Sequence, residues 1–290
     1  MEECLRGCQC MKRYRIDKNK NIGNVIFIVE GGRKKTGGTE LRLLKKIFAD
    51  VLGYEVQELR RGSEEFIGYG CNPQFRVFAL NLPKNQLTQL TEDAIDALFC
   101  RLREEFGIKP EDCPIFFIYD RDALSYKRNE LRGKYVKKYT DPYGNDNGDQ
   151  GQLLLSYPAV ESYLLSCLCD DTFKQSYLLG QEAKADLTNL ISDEGYEEKT
   201  DIHIKIVDLV FTKETIEAEN RLLHSINEMN NGLTTMGISE YDLDNLAPVL
   251  LDVYDYQQQR YISENTFSLF SFVGMALLEL GVIVECDDDN

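Results

Sequence analysis

The chain has 290 residues, 43% hydrophobic and 28% charged, with a formal net charge of -16. That length suits one large domain, or a domain with an appendage, around a sizeable core, and the composition is that of a globular protein rather than a disordered or fibrous one. No apolar stretch reaches the roughly 18 residues a membrane span requires, and residues 1–30 are polar and cysteine-bearing, unlike a signal peptide, so a cytoplasmic protein with no membrane partner is expected.

Residues 1–21 carry Cys4, Cys8 and Cys10 and read as a flexible, reactive segment. A zinc site there would need a fourth ligand, and His203 and His224 lie far away in sequence without paired spacing. The other cysteines show no disulfide framework; Cys113, Cys167 and Cys169 sit among apolar residues and suit core filling.

Next comes Val25-Ile26-Phe27-Ile28-Val29, an apolar run without alternation that stops at Glu30-Gly31, which is the pattern of a strand buried on both faces. A basic glycine loop, residues 31–38, leads to Thr39 as the cap of a helix over Glu40–Leu52, with Leu41, Leu44, Phe48 and Leu52 on one face. Short strands are expected at Glu55–Arg60 and Gln74–Leu80, then a helix from Thr91 to Phe106 ended by Gly107. Ile115-Phe116-Phe117-Ile118-Tyr119 repeats the first pattern and stops at Asp120-Arg121-Asp122.

Residues 141–149 form a loop dense in turn formers and carboxylates, and Leu153–Ser156 reads as another strand. Pro158 suits the first turn of the helix that follows, which places Glu161 near the end of that strand. Beyond residue 170 the pattern is mostly helical, with Ile202–Phe211 the one expected strand. Strands alternating with helices predict an α/β fold with a mostly parallel sheet at residues 22–170 and a largely helical extension at 171–290.

In open parallel sheets, ligand sites gather at the carboxyl ends of strands. Glu30, Asp120 and Asp122 brought together there would repel one another unless a cation joined them. Asp120 and Asp122, two apart on a strand, can face one ion, and Mg²⁺ or Mn²⁺ suits carboxylate ligands that leave room for water and phosphate. Glu30 serves as ligand or general base, and Glu161 completes a second metal position about 4 Å away in a two-metal scheme. Between Glu30 and Glu40 as the essential glutamate, Glu30 is favoured because it directly ends the strand.

Charge is unevenly spread: residues 1–61 carry net +6 and residues 121–140 net +5, against -22 over residues 141–290. Both positive segments flank the acidic strand ends, a combination that suits holding a phosphodiester backbone beside a metal. Arg33, Lys34, Lys35, Arg121, Lys127 and Arg128 are the candidate nucleic-acid contacts. The acidic half is expected to face solvent or a basic protein partner.

The order strand–Glu–Gly, helix, strand, helix, strand–Asp–x–Asp resembles the TOPRIM domain of topoisomerases, bacterial primases, and the OLD-type and RloB-like nucleases. Ile28-Val29-Glu30-Gly31 with Thr39-Glu40 and Tyr119-Asp120-Arg121-Asp122 carry the likeness, and Tyr157-Pro158-Ala159-Val160-Glu161-Ser162-Tyr163-Leu164-Leu165 is similar to the Pro-x-x-Glu-x-x-Leu element of RloB-like proteins. The resemblance implies a metal-dependent endonuclease cutting DNA or RNA, tRNA included. It also implies an anti-phage effector working with a separate ATPase, since this chain has no Gly-x-x-x-x-Gly-Lys-Ser/Thr loop. Self-association into a homo-oligomer is compatible with that role. Two alternatives remain at this point: a non-catalytic subunit of a defence complex, and a nucleotide phosphohydrolase.

Overall fold

The two apolar runs that end in acids lie side by side at the centre of the sheet. The computed structural model describes residues 13–31, 38–61, 67–71, 77–83, 91–121, 131–192, 202–211 and 215–286. In chain order the first half holds β1 (Tyr14–Ile16), β2 (Val25–Gly31), α1 (Thr39–Lys45, prolonged by a π-helical stretch Lys46–Val51), β3 (Val56–Arg61), β4 (Ile67–Cys71), β5 (Val77–Pro83), α2 (Glu92–Phe106), β6 (Ile115–Asp120), β7 (Thr140–Asp141) and β8 (Gly151–Tyr157). The second half holds α3 (Glu161–Ser166), β9 (Ser176–Tyr177), α4 (Gly180–Ser192), α5 (Ile202–Val210), α6 (Thr215–Thr235), α7 (Ala247–Glu264), β10 (Phe267–Ser268), β11 (Phe270–Ser271), α8 (Val273–Glu279) and β12 (Ile283–Glu285).

The main sheet runs β11-β8-β6-β2-β5-β4-β3. Its four middle strands, β8, β6, β2 and β5, are parallel, and antiparallel strands flank them on both sides. Val29 lies opposite Ile118, and Asp120 lies opposite Ser156, so Glu30, Asp120 and the end of β8 reach the same edge together. Val25–Val29, Ile115–Tyr119 and all of β8 are buried, as unalternating apolar runs demand. Phe27 stacks on Phe116 at 5.3 Å between ring centroids and meets Phe48 of the π-helical stretch at 5.7 Å, which ties α1 to the sheet.

Local chemistry sets the helix ends. The Thr91 Oγ1 accepts from the Ala94 amide at 3.2 Å, and Gly107 ends α2 with a left-handed φ of 64°, its amide bonded back to the Arg103 and Leu102 carbonyls. Three local expectations are corrected. Thr39 is the first residue of α1 rather than its cap; Gly38 precedes it and no side chain caps that end. Ile202–Val210 is a helix, because Ile206, Val207, Val210 and Phe211 bury themselves at one-turn spacing. Pro158 lies outside the helix, after a cis peptide bond with Tyr157; α3 starts at Glu161.

The second half of the chain is joined to the first at several places. β11 pairs antiparallel with β8, with the Ser156 and Ser271 hydroxyls 2.8 Å apart, and β12 pairs with β1, so Tyr14–Ile16 in the segment expected to be flexible is part of a sheet. The basic flanks also draw on the acidic half: Arg42 and Lys46 pair with Asp208, Arg132 with Asp255, and Lys18 with Glu219. Part of the acidic half therefore neutralises the basic segments at the protein surface. Among the described residues no helix is long and apolar enough to cross a membrane.

Candidate metal centre at the carboxyl ends of the strands

β2 delivers Glu30, β6 delivers Asp120, the first turn of α1 delivers Glu40, and the first residue of α3 is Glu161. Glu40 is 8% exposed and Glu161 2%, so both carboxylates are held in the protein rather than in water. The Asp120 Oδ1 accepts from the Val160 amide at 2.7 Å, and the Asp120 amide lies 3.4 Å from the Glu30 Oε2. Asp120 is thereby fixed between the neighbouring strand and the turn that leads into α3.

A cation completes the group. Lys184 Nζ, from the second turn of α4, lies 3.3 Å from the Glu161 Oε1. The helix can come this close because its first residue is Gly180: a Cβ there would stand 2.6 Å from the Cβ of Ala159, two residues before Glu161. Any larger residue would push α4 away and carry Lys184 with it.

The electrostatics follow from four carboxyls sharing one enclosed place. Burial pushes the Glu40 carboxyl up to about 8; its own backbone amide opposes this, Glu161 and Glu30 add to it, and Lys184 pulls the other way. Burial likewise raises Asp120 well above the usual carboxylate range, reinforced by Glu40, Glu161 and Glu30 and opposed by the Val160 amide. Burial would lower Lys184, but the carboxylates of Glu161, Asp120 and Glu40 outweigh it and hold the ammonium charged more firmly than usual. Glu40 and Asp120 therefore favour their protonated forms where no cation is bound, and a divalent cation bound to oxygen donors is what such a set fits.

The structure therefore brings together Glu30, Asp120 and Glu161 from the expected residues, and it places Glu40 beside them rather than as a substitute for Glu30. Asp122, Arg33, Lys34, Lys35, Lys127 and Arg128 lie outside the described residues. Arg121 is a correction. It is 1% exposed, with Nη2 donating to the Gln258 Oε1 at 3.3 Å and its guanidinium 5.5 Å from the Phe267 ring centroid, so it does not face a nucleic acid. Successive strand residues point to opposite faces, and with Asp120 at the site, Arg121 turns inward under α7. Sequence reasoning missed Lys184, which nothing in Gly180–Ser192 marks out.

A second acid–histidine group was also missed. Asp170, His224 and Glu228 offer ligand atoms within 4.8 Å of one another and could hold a metal ion. His224 and Glu228 are one helical turn apart on α6, a spacing the sequence does show. Cys100, Cys113, Cys167, Cys169 and Cys286 are free thiols; Cys113 and Cys167 are buried as expected, Cys169 is only half-buried, and Cys4, Cys8 and Cys10 lie outside the described residues.

Comparison of the chain with protein-family models, with curated proteins and with solved structures gave no match.

Proposed function

We propose that this chain is a metal-dependent nuclease with a TOPRIM-like core, hydrolysing nucleic-acid phosphodiesters with Mg²⁺ or Mn²⁺ held by Glu30, Glu40, Asp120 and Glu161. Asp122 is included on the Asp-x-Asp motif of the sequence alone. The observation that carries this reading is the convergence of four carboxyls from two parallel strands and two helix starts, with Glu40 raised by burial, Glu161 and Glu30, and Asp120 by burial, Glu40, Glu161 and Glu30. Oxygen-only donors suit hard cations, and the strand-end position is where open α/β sheets hold ligands.

A divalent cation in this place supplies Lewis acidity to a phosphate oxygen and to nearby water. The protein's own groups do the rest. Glu30, the glutamate of the cluster that is only partly buried, accepts a proton as water oxygen bonds to phosphorus. The bridging P–O bond breaks, and the leaving oxygen takes its proton from solvent. Lys184 keeps the cluster from carrying its full negative charge and can face a phosphate oxygen.

The choice of a phosphodiester rests on the basic flanks and on the motif resemblance. The resemblance also supports an anti-phage effector role beside a separate ATPase. The test is incubation with DNA and with tRNA in Mg²⁺ and in Mn²⁺, comparing the native chain with Asp120→Ala and Glu40→Ala. Cleavage by the native chain and its loss in both variants is expected. Equal cleavage by all three removes the assignment, and nucleotide turnover without strand cleavage replaces it with a phosphohydrolase.

A further inference from the structure

We propose a second metal site, for a transition metal of the Zn²⁺ class, at Asp170, His224 and Glu228, separate from the carboxylate centre and serving to fasten the far end of α3 to α6. The three side chains come from the turn after α3 and from two successive turns of α6.

The imidazole is already oriented for a metal. His224 Nδ1 lies 2.9 Å from the Ser166 carbonyl at the end of α3, and a carbonyl only accepts, so Nδ1 carries the proton. In that tautomer Nε2 presents its lone pair, and it points at the Asp170 Oδ1, 2.9 Å away. Two such atoms this close need either a proton or a metal ion between or beside them. At bond lengths of about 2.1 Å, ligands at right angles stand about 3 Å apart, which is the separation seen. A ring nitrogen whose partner N–H is held by a backbone carbonyl is the usual arrangement around a metal-bound histidine.

Glu228 is positioned in the same way. Its Oε2 accepts from the Thr172 amide at 2.8 Å and from the Thr172 hydroxyl at 3.0 Å, and its Oε1 accepts from the Asn231 Nδ2 at 3.1 Å. A carboxylate has about four acceptor positions, so a ligand position remains while these bonds fix its direction. Asp170 is 92% exposed at its side chain, able to swing the last distance and to admit the ion from solvent. Two carboxylates and one neutral ring match a divalent charge, and the imidazole selects a transition metal over Mg²⁺, unlike the oxygen-only cluster at Asp120.

The rival account is a plain His224–Asp170 ion pair, with Glu228 only holding the turn. The chain contains only two histidines, so ¹⁵N-histidine labelling of the full chain gives a two-ring spectrum in which His203→Gln identifies each ring. The chelator-stripped chain is titrated with Zn²⁺ in excess Mg²⁺, which occupies the carboxylate centre. The His224 Nε2 signal is expected to shift and saturate at one Zn²⁺ per chain. Calorimetry is expected to show Zn²⁺ affinity weakened at least about tenfold in His224→Gln and in Glu228→Gln, and unchanged in Glu161→Gln. A His224 ring unmoved by saturating Zn²⁺, or Zn²⁺ bound equally tightly by His224→Gln, overturns the site and leaves the ion pair.

Discussion

Two of the places where the described residues bury carboxyl groups lie at opposite ends of the parallel strands, and each resolves its charge differently. Near the amino end of β8, Gln152 Nε2 donates to the Glu279 Oε1 at 2.9 Å, and burial pushes the Glu279 carboxyl up to about 8, with Gln152 opposing and Asp141 adding. Gln152 Oε1 and Glu279 Oε2 are buried without a hydrogen-bond partner, and a proton on Glu279 removes the charge that burial penalises. One proton settles a single buried acid. At the carboxyl end, Glu30, Glu40, Asp120 and Glu161 share one place with Lys184, and protons alone would leave a set of ligand oxygens with nothing to bind. The contrast separates a structural acid from a binding site: number and convergence mark the site, not the raised pKa, which both places have.

The largest expected effect is on activity. Asp120→Ala should lower cleavage on the order of a thousandfold, equivalent to several kcal/mol of transition-state stabilisation. In chelator its melting temperature should be equal to or above that of the native chain, because a buried carboxyl that no cation compensates is gone. A loss of stability together with activity would place Asp120 with Glu279 as a structural acid.

Gly180→Ala should cost about 1–3 kcal/mol, since the new methyl meets Ala159, and should also weaken Mg²⁺ binding by moving Lys184. Lys184→Gln should be milder. Its side chain is 37% exposed, so solvent screening reduces the loss to about 1 kcal/mol in chelator, and added Mg²⁺ should close the gap to the native chain. A gap that persists in Mg²⁺ would mean that Lys184 serves packing rather than charge.

A further set of effects concerns pH. Glu40 and Glu279 both have folded-state pKa values of about 8, raised from 4.5. Their stabilisation is complete below the unfolded value and is lost as pH climbs through about 8, so the metal-free chain should melt progressively lower over that window. Glu279→Gln should flatten part of this slope and leave cleavage unchanged, and thermal melts from pH 4.5 to 8 measure it.

The central strands and the convergence of Glu30 with Asp120 were legible because β2 and β6 announce themselves as apolar runs that stop at an acid. α2 was legible from Thr91 and Gly107, which satisfy its two ends by local chemistry. The strand expected at Ile202–Phe211 failed because Ile202, Ile204 and Ile206 alternate with polar residues; what decides the outcome is burial of Ile206, Val207 and Val210 against partners far away in sequence. Glu40 was legible only as a rival to Glu30, since the loop between them hides that both reach one place. Lys184 and the inward turn of Arg121 depend on α4 and α7 docking over the strand ends, contacts that no local pattern encodes.

Mg²⁺-dependent melting at pH 8 tests the carboxylate centre most directly. Millimolar Mg²⁺ should raise the melting temperature of the native chain by several degrees, as binding to the folded state alone requires, and should leave Asp120→Asn unmoved. Equal melting with and without Mg²⁺ in the native chain, or an equal rise in both, would contradict a cation held by Glu30, Glu40, Asp120 and Glu161.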